Sequence, residues 1–204
     1  MKSYLLLIPV LLLTFQCLAQ EKSFKRGVSY GSHSAADMNT ASAGISWWYN
    51  WGNQPDAGIR TTYSNYGVDY APMAWNAAGI NGVNTWVSQD NRVKYILGFN
   101  EPNFKDQANM TPTQAAAAWP QLQAIADKYG LKLASPAVNY CGNCVSENGT
   151  VYTNPFKWLD DFFAACPTCR VDYIALHWYG GGNSMMSYVN DARKYGKPIW
   201  ITEF

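Results

Sequence analysis

The sequence predicts an α/β protein of the (β/α)8 barrel type, incomplete as written. About seven strands can be counted, and an eighth strand and closing helices after Glu203 are missing. Three observations lead there. Short β-branched and aromatic runs alternate with helical patterns at a steady cadence, which implies parallel strands joined by right-handed crossovers. No glycine-rich phosphate loop follows the first strand, as an open doubly wound sheet would need. Asn100-Glu101, Asn139, His177 and Glu203 all fall at the C-terminal ends of predicted strands, where a barrel gathers its reactive side chains.

Taken in order, Arg26 to Tyr30 reads as the first strand and Ser46 to Trp51 as the second, closed by Gly52-Asn53. Asp69 to Trp75 is the third, with Pro72 marking a strand end or bulge. The weakly patterned stretch from Asn76 to Asn91 is expected to be loop plus a short helix, and Val93 to Phe99 is the fourth strand. Thr111, Pro112 and Gln114 supply an N-cap, a first-turn proline and a capping box, so a helix runs to Lys128 and stops at Gly130. Pro120 inside it should kink or split it. Leu131 to Val138 is the fifth strand. Asn154-Pro155 starts a helix with Phe156, Leu159, Phe162 and Phe163 on one face. Val171 to His177 is the sixth strand, Ser184 to Tyr195 a helix closed by Gly196, and Pro198 to Thr202 the seventh strand.

Residues 1–20 are set apart from this fold. Lys2 gives a basic start, Leu5 to Leu13 an apolar core, and Cys17-Leu18-Ala19 small residues near a cleavage point. That pattern is a secretory signal peptide, too short for a membrane span with flanks. Residues 21–204 then form one catalytic domain, expected outside the cell or in a periplasm, with no membrane span after cleavage. The formal net charge of +1 argues against a nucleic-acid partner, which needs a basic face. Nine Trp and fourteen Tyr suit a protein that stacks rings on sugars, beyond those its core must absorb.

Cys141-x-x-Cys144 and Cys166-x-x-Cys169 are spaced like a zinc ribbon. Export favours disulfides instead. The predicted topology puts the first pair on the face of the strand ends and the second on the opposite face. The intervening helix of roughly eleven residues spans about 16 Å. Two local disulfides, Cys141–Cys144 and Cys166–Cys169, are therefore preferred to a metal site.

Glu101 in Gly98-Phe99-Asn100-Glu101-Pro102-Asn103 and Glu203 in Trp200-Ile201-Thr202-Glu203-Phe204 each cap an apolar run. Two rim carboxylates, distant in sequence and close in space, are the usual machinery for cleaving glycosidic bonds. His177, at a strand end before Trp178-Tyr179, is expected to bond the sugar or the nucleophile. It has no partner at metal-ligand spacing. Strand alternation sends Trp47 and Trp51 one way and Trp48 the other. Trp51, nearest the rim, is the ring expected to stack on sugar, with Trp47, Tyr49 and Tyr179 as further candidates.

Several pieces together resemble a known group. Trp47-Trp48-Tyr49-Asn50-Trp51, Gly98 to Asn103, Ala134-Ser135-Pro136-Ala137, Val171 to Tyr179 and Thr202-Glu203-Phe204, in this order, are similar to glycoside hydrolase family 128 of the large clan of retaining barrel glycosidases. The resemblance covers residues 25–204. It implies endo-acting cleavage of β-1,3-glucan with retention, no cofactor, no metal and a polysaccharide as partner; a monomer is expected. It implies Glu101 as acid/base, Glu203 as nucleophile and Asn100 as a ligand of the sugar 2-hydroxyl. A non-catalytic glucan-binding protein on a degenerate barrel, and a related glycosidase acting on another β-glycan, stay open at this point.

Overall fold

The computed structural model describes residues 22–31 and 33–204; the expected signal peptide lies outside the described residues. The elements in chain order are β1 (Gly27–Ser29), α1 (Ala35–Ala41), β2 (Trp47–Tyr49), β3 (Asp69–Tyr70), α2 (Ile80–Gln89), β4 (Tyr95–Ile96), α3 (Pro112–Tyr129), β5 (Lys132–Leu133), β6 (Ser146–Glu147), β7 (Thr150–Val151), α4 (Pro155–Ala165), β8 (Ile174–His177), α5 (Gly182–Ala192) and β9 (Ile199–Glu203). Short 3-10 turns add Tyr63–Tyr66, Ala77–Gly79 and Arg193–Tyr195.

All strands except β6 and β7 run parallel. Ladders join β1–β2–β3, β4–β5 and β8–β9. Single parallel bridges link the pieces: Met73 to Leu97, Asn100 to Ala137, Ala134 to Tyr173 and Val138 to Leu176. The neighbours thus follow chain order with crossover helices between them. The ladders are short partly because Pro72 and Pro136 sit in the runs and have no N–H to give. β1 and β9, the two ends of this order, come into contact. No ladder joins them among the described residues, so hydrogen bonds do not close a barrel.

Alternation sorts the strand side chains into two cores. Trp47, Tyr49, Ala71, Met73, Leu97, Ala134, Ala137 and Ala175 pack together, with Trp51, Tyr95, Tyr173 and Trp200 against them. Trp48, Tyr70, Ile96, Leu133, Ile174 and Leu176 point the other way, into a larger core that takes in Trp86, Trp119, Trp158 and Phe162 of the helices. In the first core alanines pack beside large aromatic rings. Gly98 lets β4 lie close to β5: a Cβ there would stand 2.8 Å from the Pro136 nitrogen and from the Trp119 ring. That approach sets where Asn100 and Glu101 emerge.

The helices follow their caps. Thr111 and Gln114 form the expected capping box, and Gly130 closes α3 at φ +68°. Pro120 does not split α3, which is continuous from Pro112 to Tyr129. Trp119 and Leu122 on either side are wholly buried. Packing there outweighs the lost bond, a cost of about 3 kcal/mol. Two elements were not expected from the sequence. α1 is a seven-residue helix capped by Ser34 and Asp37. β6 and β7 make an antiparallel hairpin whose turn, Asn148-Gly149, has φ +47° and +80°. Asn-Gly is a strong hairpin signal.

Each cysteine pair is bonded locally, with Cα–Cα distances of 5.5 Å for Cys141–Cys144 and 5.3 Å for Cys166–Cys169. No helix among the described residues is long and apolar enough to cross a membrane.

Candidate active site

Glu101 leaves the end of the β4 run at φ +39°, a left-handed conformation that side chains with a Cβ rarely adopt. Its N–H donates to Ala137 O at 2.9 Å, and its carbonyl accepts from Phe104 N–H at 2.9 Å. Glu203 ends β9, opposite His177 of β8, where the register slips by one residue. Trp51, just past β2, is left-handed as well, at φ +57°. Among the described residues the other non-glycine residues in that region, Asn109 and Asn148, are of the type that tolerates it. Strain at a Glu and a Trp, both at one rim, marks a site whose surroundings hold it in place.

One oxygen of Glu101, one of Glu203 and one nitrogen of His177 all lie within 4.8 Å of one another. His177 is fully buried between the carboxylates: Nδ1 is 3.0 Å from Glu101 Oε1, and Nε2 is 3.3 Å from Glu203 Oε1. The second contact is close but not aligned as a hydrogen bond. Because each ring nitrogen faces a different carboxylate, the imidazole is a bridge between them. One ligand atom from each lies close enough to the others that the same three residues could also hold a metal ion.

Glu203 is held much more firmly than Glu101. Its Oε1 accepts from Trp51 Nε1 at 2.6 Å and from Tyr49 Oη at 3.0 Å. Its Oε2 accepts from Tyr179 Oη. Burial, and then the Glu203 charge, push the Tyr49 phenol far above its ordinary value. Burial and the bond to Glu203 do the same for Tyr179. Both therefore stay protonated and act as permanent donors. Among the described residues the Glu101 carboxyl meets only His177, which leaves capacity for another partner.

A family model described as glycosyl hydrolase catalytic core matches residues 27–204. The chain belongs to that family. It is a glycoside hydrolase. Among solved structures, it is 45% identical to a GH128 subgroup II endo-beta-1,3-glucanase from Sorangium cellulosum, covering 88% of this chain and 73% of that one, with a TM-score of 0.75. A GH128 subgroup III curdlan-specific exo-beta-1,3-glucanase from Blastomyces gilchristii, in complex with glucose, is 32% identical over 88% of this chain and 75% of that one, with a TM-score of 0.68. A curated relative, alkali-sensitive linkage protein 1 of Schizosaccharomyces pombe, is 30% identical over 191 residues, or 89% of this chain. The chain spans 31% of that relative's length.

Within this glycoside hydrolase, the residues singled out from the sequence separate into groups. Glu101, His177, Glu203, Tyr49, Trp51 and Tyr179 come together in one cluster. Two of them, Trp51 and Tyr49, have other contacts than expected. Trp51 donates its indole N–H to Glu203, with its ring edge-on to Tyr49 at 5.4 Å. Tyr49 is wholly buried, so it positions Glu203 and presents no face to a sugar. His177 is likewise wholly buried, against the carboxylates. Tyr179 alone combines a grip on Glu203 with an open ring, 67% exposed. Trp47 is corrected to a core residue. It is buried, stacks on Tyr49, meets Trp200 edge-on at 4.7 Å, and spends its N–H on Lys25 O. It sits two residues deeper along the same strand face than Tyr49, which puts it below the rim.

Asn100 is buried, and its Nδ2 donates to Gln107 Oε1 at 3.0 Å. Its Oδ1 is buried without a protein partner among the described residues. Asn139 accepts at its carbonyl from Asn103 Nδ2 at 2.8 Å and serves the backbone. Gln107, Asn103 and the half-exposed ring of Tyr140 were missed in the sequence. Only Asn103 had a signal there, the last position of Asn-Glu-Pro-Asn.

Proposed function

We propose that this protein is a secreted, retaining endo-β-1,3-glucanase that works by double displacement, with Glu101 as acid/base and Glu203 as nucleophile. The observation that carries the reading is that one carboxyl oxygen of Glu101 lies within 4.8 Å of one of Glu203. Retention needs carboxyl groups about 5–5.5 Å apart, whereas inversion needs about 6.5–9.5 Å to admit a water. In the first step Glu101 gives its proton to the glycosidic oxygen as Glu203 attacks the anomeric carbon. The aglycone leaves with that proton, and a glycosyl ester forms on Glu203. In the second, Glu101 takes a proton from water, whose oxygen attacks the same carbon, and Glu203 leaves as a carboxylate. Trp51, Tyr49 and Tyr179 aim Glu203 at the carbon, and His177 fixes the separation of the pair. Asn100 is read as the ligand of the sugar 2-hydroxyl, and the open ring of Tyr179 as a sugar contact.

β-1,3-Glucan as substrate rests on the GH128 relatives, and secretion on the two disulfides together with the leader pattern in residues 1–20. Residues 21–204 are read as one catalytic unit of an eight-stranded barrel, with polysaccharide as partner and the monomer as working form. Incubation with laminarin, followed by separation of the products by length, tests the function. A spread of laminari-oligosaccharides at early times is the expected result. Glucose as sole early product would replace endo with exo action, and no release would remove the glucanase reading.

A further inference from the structure

We propose that the Cys141–Cys144 disulfide is a positioning element for Glu101, acting on the acid/base step and not on the nucleophile. The proposal rests on the assignment of Glu101 as acid/base. Both sulfurs are buried at the site end of the β5 run. The loop they close docks on the loop that carries Glu101. Lys105 N–H donates to Asn143 O at 2.9 Å, and Val145 N–H donates to Asn103 O at 2.9 Å. Phe104 forms an antiparallel bridge with Cys144. Cys141 Sγ lies 3.4 Å from Asn103 O, and the Asn103 amide reaches back to Asn139 O at 2.8 Å.

The Glu101 loop is closed on itself at the same place. Ala108 N–H donates to Asn100 O at 3.1 Å, and Met110 N–H to Pro102 O at 2.9 Å. Glu101 keeps φ +39° only while its surroundings over-determine it. The docked disulfide loop supplies that constraint from one side. Glu203, by contrast, is gripped by Tyr49, Trp51 and Tyr179, none of which belongs to either loop. The second disulfide, Cys166–Cys169, closes the end of α4, where Cys169 N–H bonds only back to Cys166 O. It is a built-in control with the same Cys-x-x-Cys spacing.

Loss of the first disulfide should therefore misplace the acid and leave the nucleophile aimed. Two aryl substrates separate these effects. 2,4-Dinitrophenyl β-laminaribioside expels its leaving group without a proton, and phenyl β-laminaribioside needs one. Their kcat/KM values both report the first step alone. In Cys141→Ser/Cys144→Ser, kcat/KM for the phenyl substrate is expected to fall about 10- to 100-fold, since general acid catalysis contributes about 10²–10⁴-fold and a small misplacement forfeits part of it. For the dinitrophenyl substrate it should stay within about threefold. Cys166→Ser/Cys169→Ser should leave both values near native. Should the first double variant fail to fold, Asn103→Ala cuts the same docking through one side chain and carries the same expectation. An equal fall on both substrates in a folded variant, or no fall on either, overturns the proposal. A native enzyme that turns over neither substrate would remove the reading of this site as that of a retaining β-1,3-glucanase, and this proposal with it.

Discussion

Tyr49→Phe removes one oxygen from the centre of the site and nothing else. The Tyr49 hydroxyl is wholly buried, donates to Glu203 Oε1 at 3.0 Å and lies 3.2 Å from Thr202 O. A hydrogen bond to a charged acceptor contributes about 1.5–3 kcal/mol. It is made to full strength when Glu203 is a carboxylate and weakly when Glu203 is a glycosyl ester. Its loss thus shifts the carboxylate–ester balance toward the ester by about 10- to 150-fold. If about half of that change is felt in the transition state, departure of Glu203 slows about 4- to 12-fold and its attack speeds up by a similar factor. Stopped-flow with 2,4-dinitrophenyl β-laminaribioside reads both steps. The expected result is a larger pre-steady-state burst, a lower kcat and a raised kcat/KM. A fall in kcat/KM with unchanged kcat would refute the reasoning, because Tyr49 would then serve the attack and not the departure.

Trp51→Phe keeps a ring and loses the N–H that meets Glu203 at 2.6 Å, so kcat should fall about tenfold with KM little changed; a rise in KM for long glucans at constant kcat would return Trp51 to the stacking role. Trp47→Ala should cost about 3–5 kcal/mol of stability, measured by urea denaturation, with native kcat/KM in the folded fraction; lost activity in a stable variant would return Trp47 to the site. Burial would push the Asp90 carboxyl up, but its bonds from Arg92 and Tyr63 outweigh burial and hold it below the ordinary aspartate range. A lowered folded value adds stability above the unfolded value that is lost as pH falls through the folded one. The native Tm should therefore fall more steeply on acidification below the ordinary aspartate range than that of Asp90→Asn, and parallel curves would contradict this.

The parallel order of the strands was legible because each run ends in a recognisable cap or turn and the next begins at a regular interval. The cysteine pairing was legible for the same reason: strand–helix order put the two pairs on different faces. Strand ends also placed Glu101, His177 and Glu203 at one rim. What the sequence did not carry was direction within that rim. Trp51 reads as an exposed stacking ring until its left-handed backbone is seen to turn the indole N–H onto Glu203. Trp47 reads like Trp51, and only its depth along β2 makes it core. The β6–β7 hairpin is marked by Asn148-Gly149, but it interrupts an otherwise regular strand–helix alternation. The docking of Asn103–Lys105 on Asn143–Val145 is made by backbone groups, which have no residue-type signature.

The anomeric configuration of the glycosyl azides formed by Glu203→Ala and Glu101→Ala tests the division of roles most directly. With 2,4-dinitrophenyl β-laminaribioside and added azide, Glu203→Ala should give the inverted α-azide, because azide takes the place of the missing nucleophile. Glu101→Ala should give the retained β-azide, because azide intercepts an intermediate that Glu203 has already formed and needs no general base. The reverse pattern would exchange the two roles, and native turnover in either variant without azide would contradict the two-carboxylate mechanism itself.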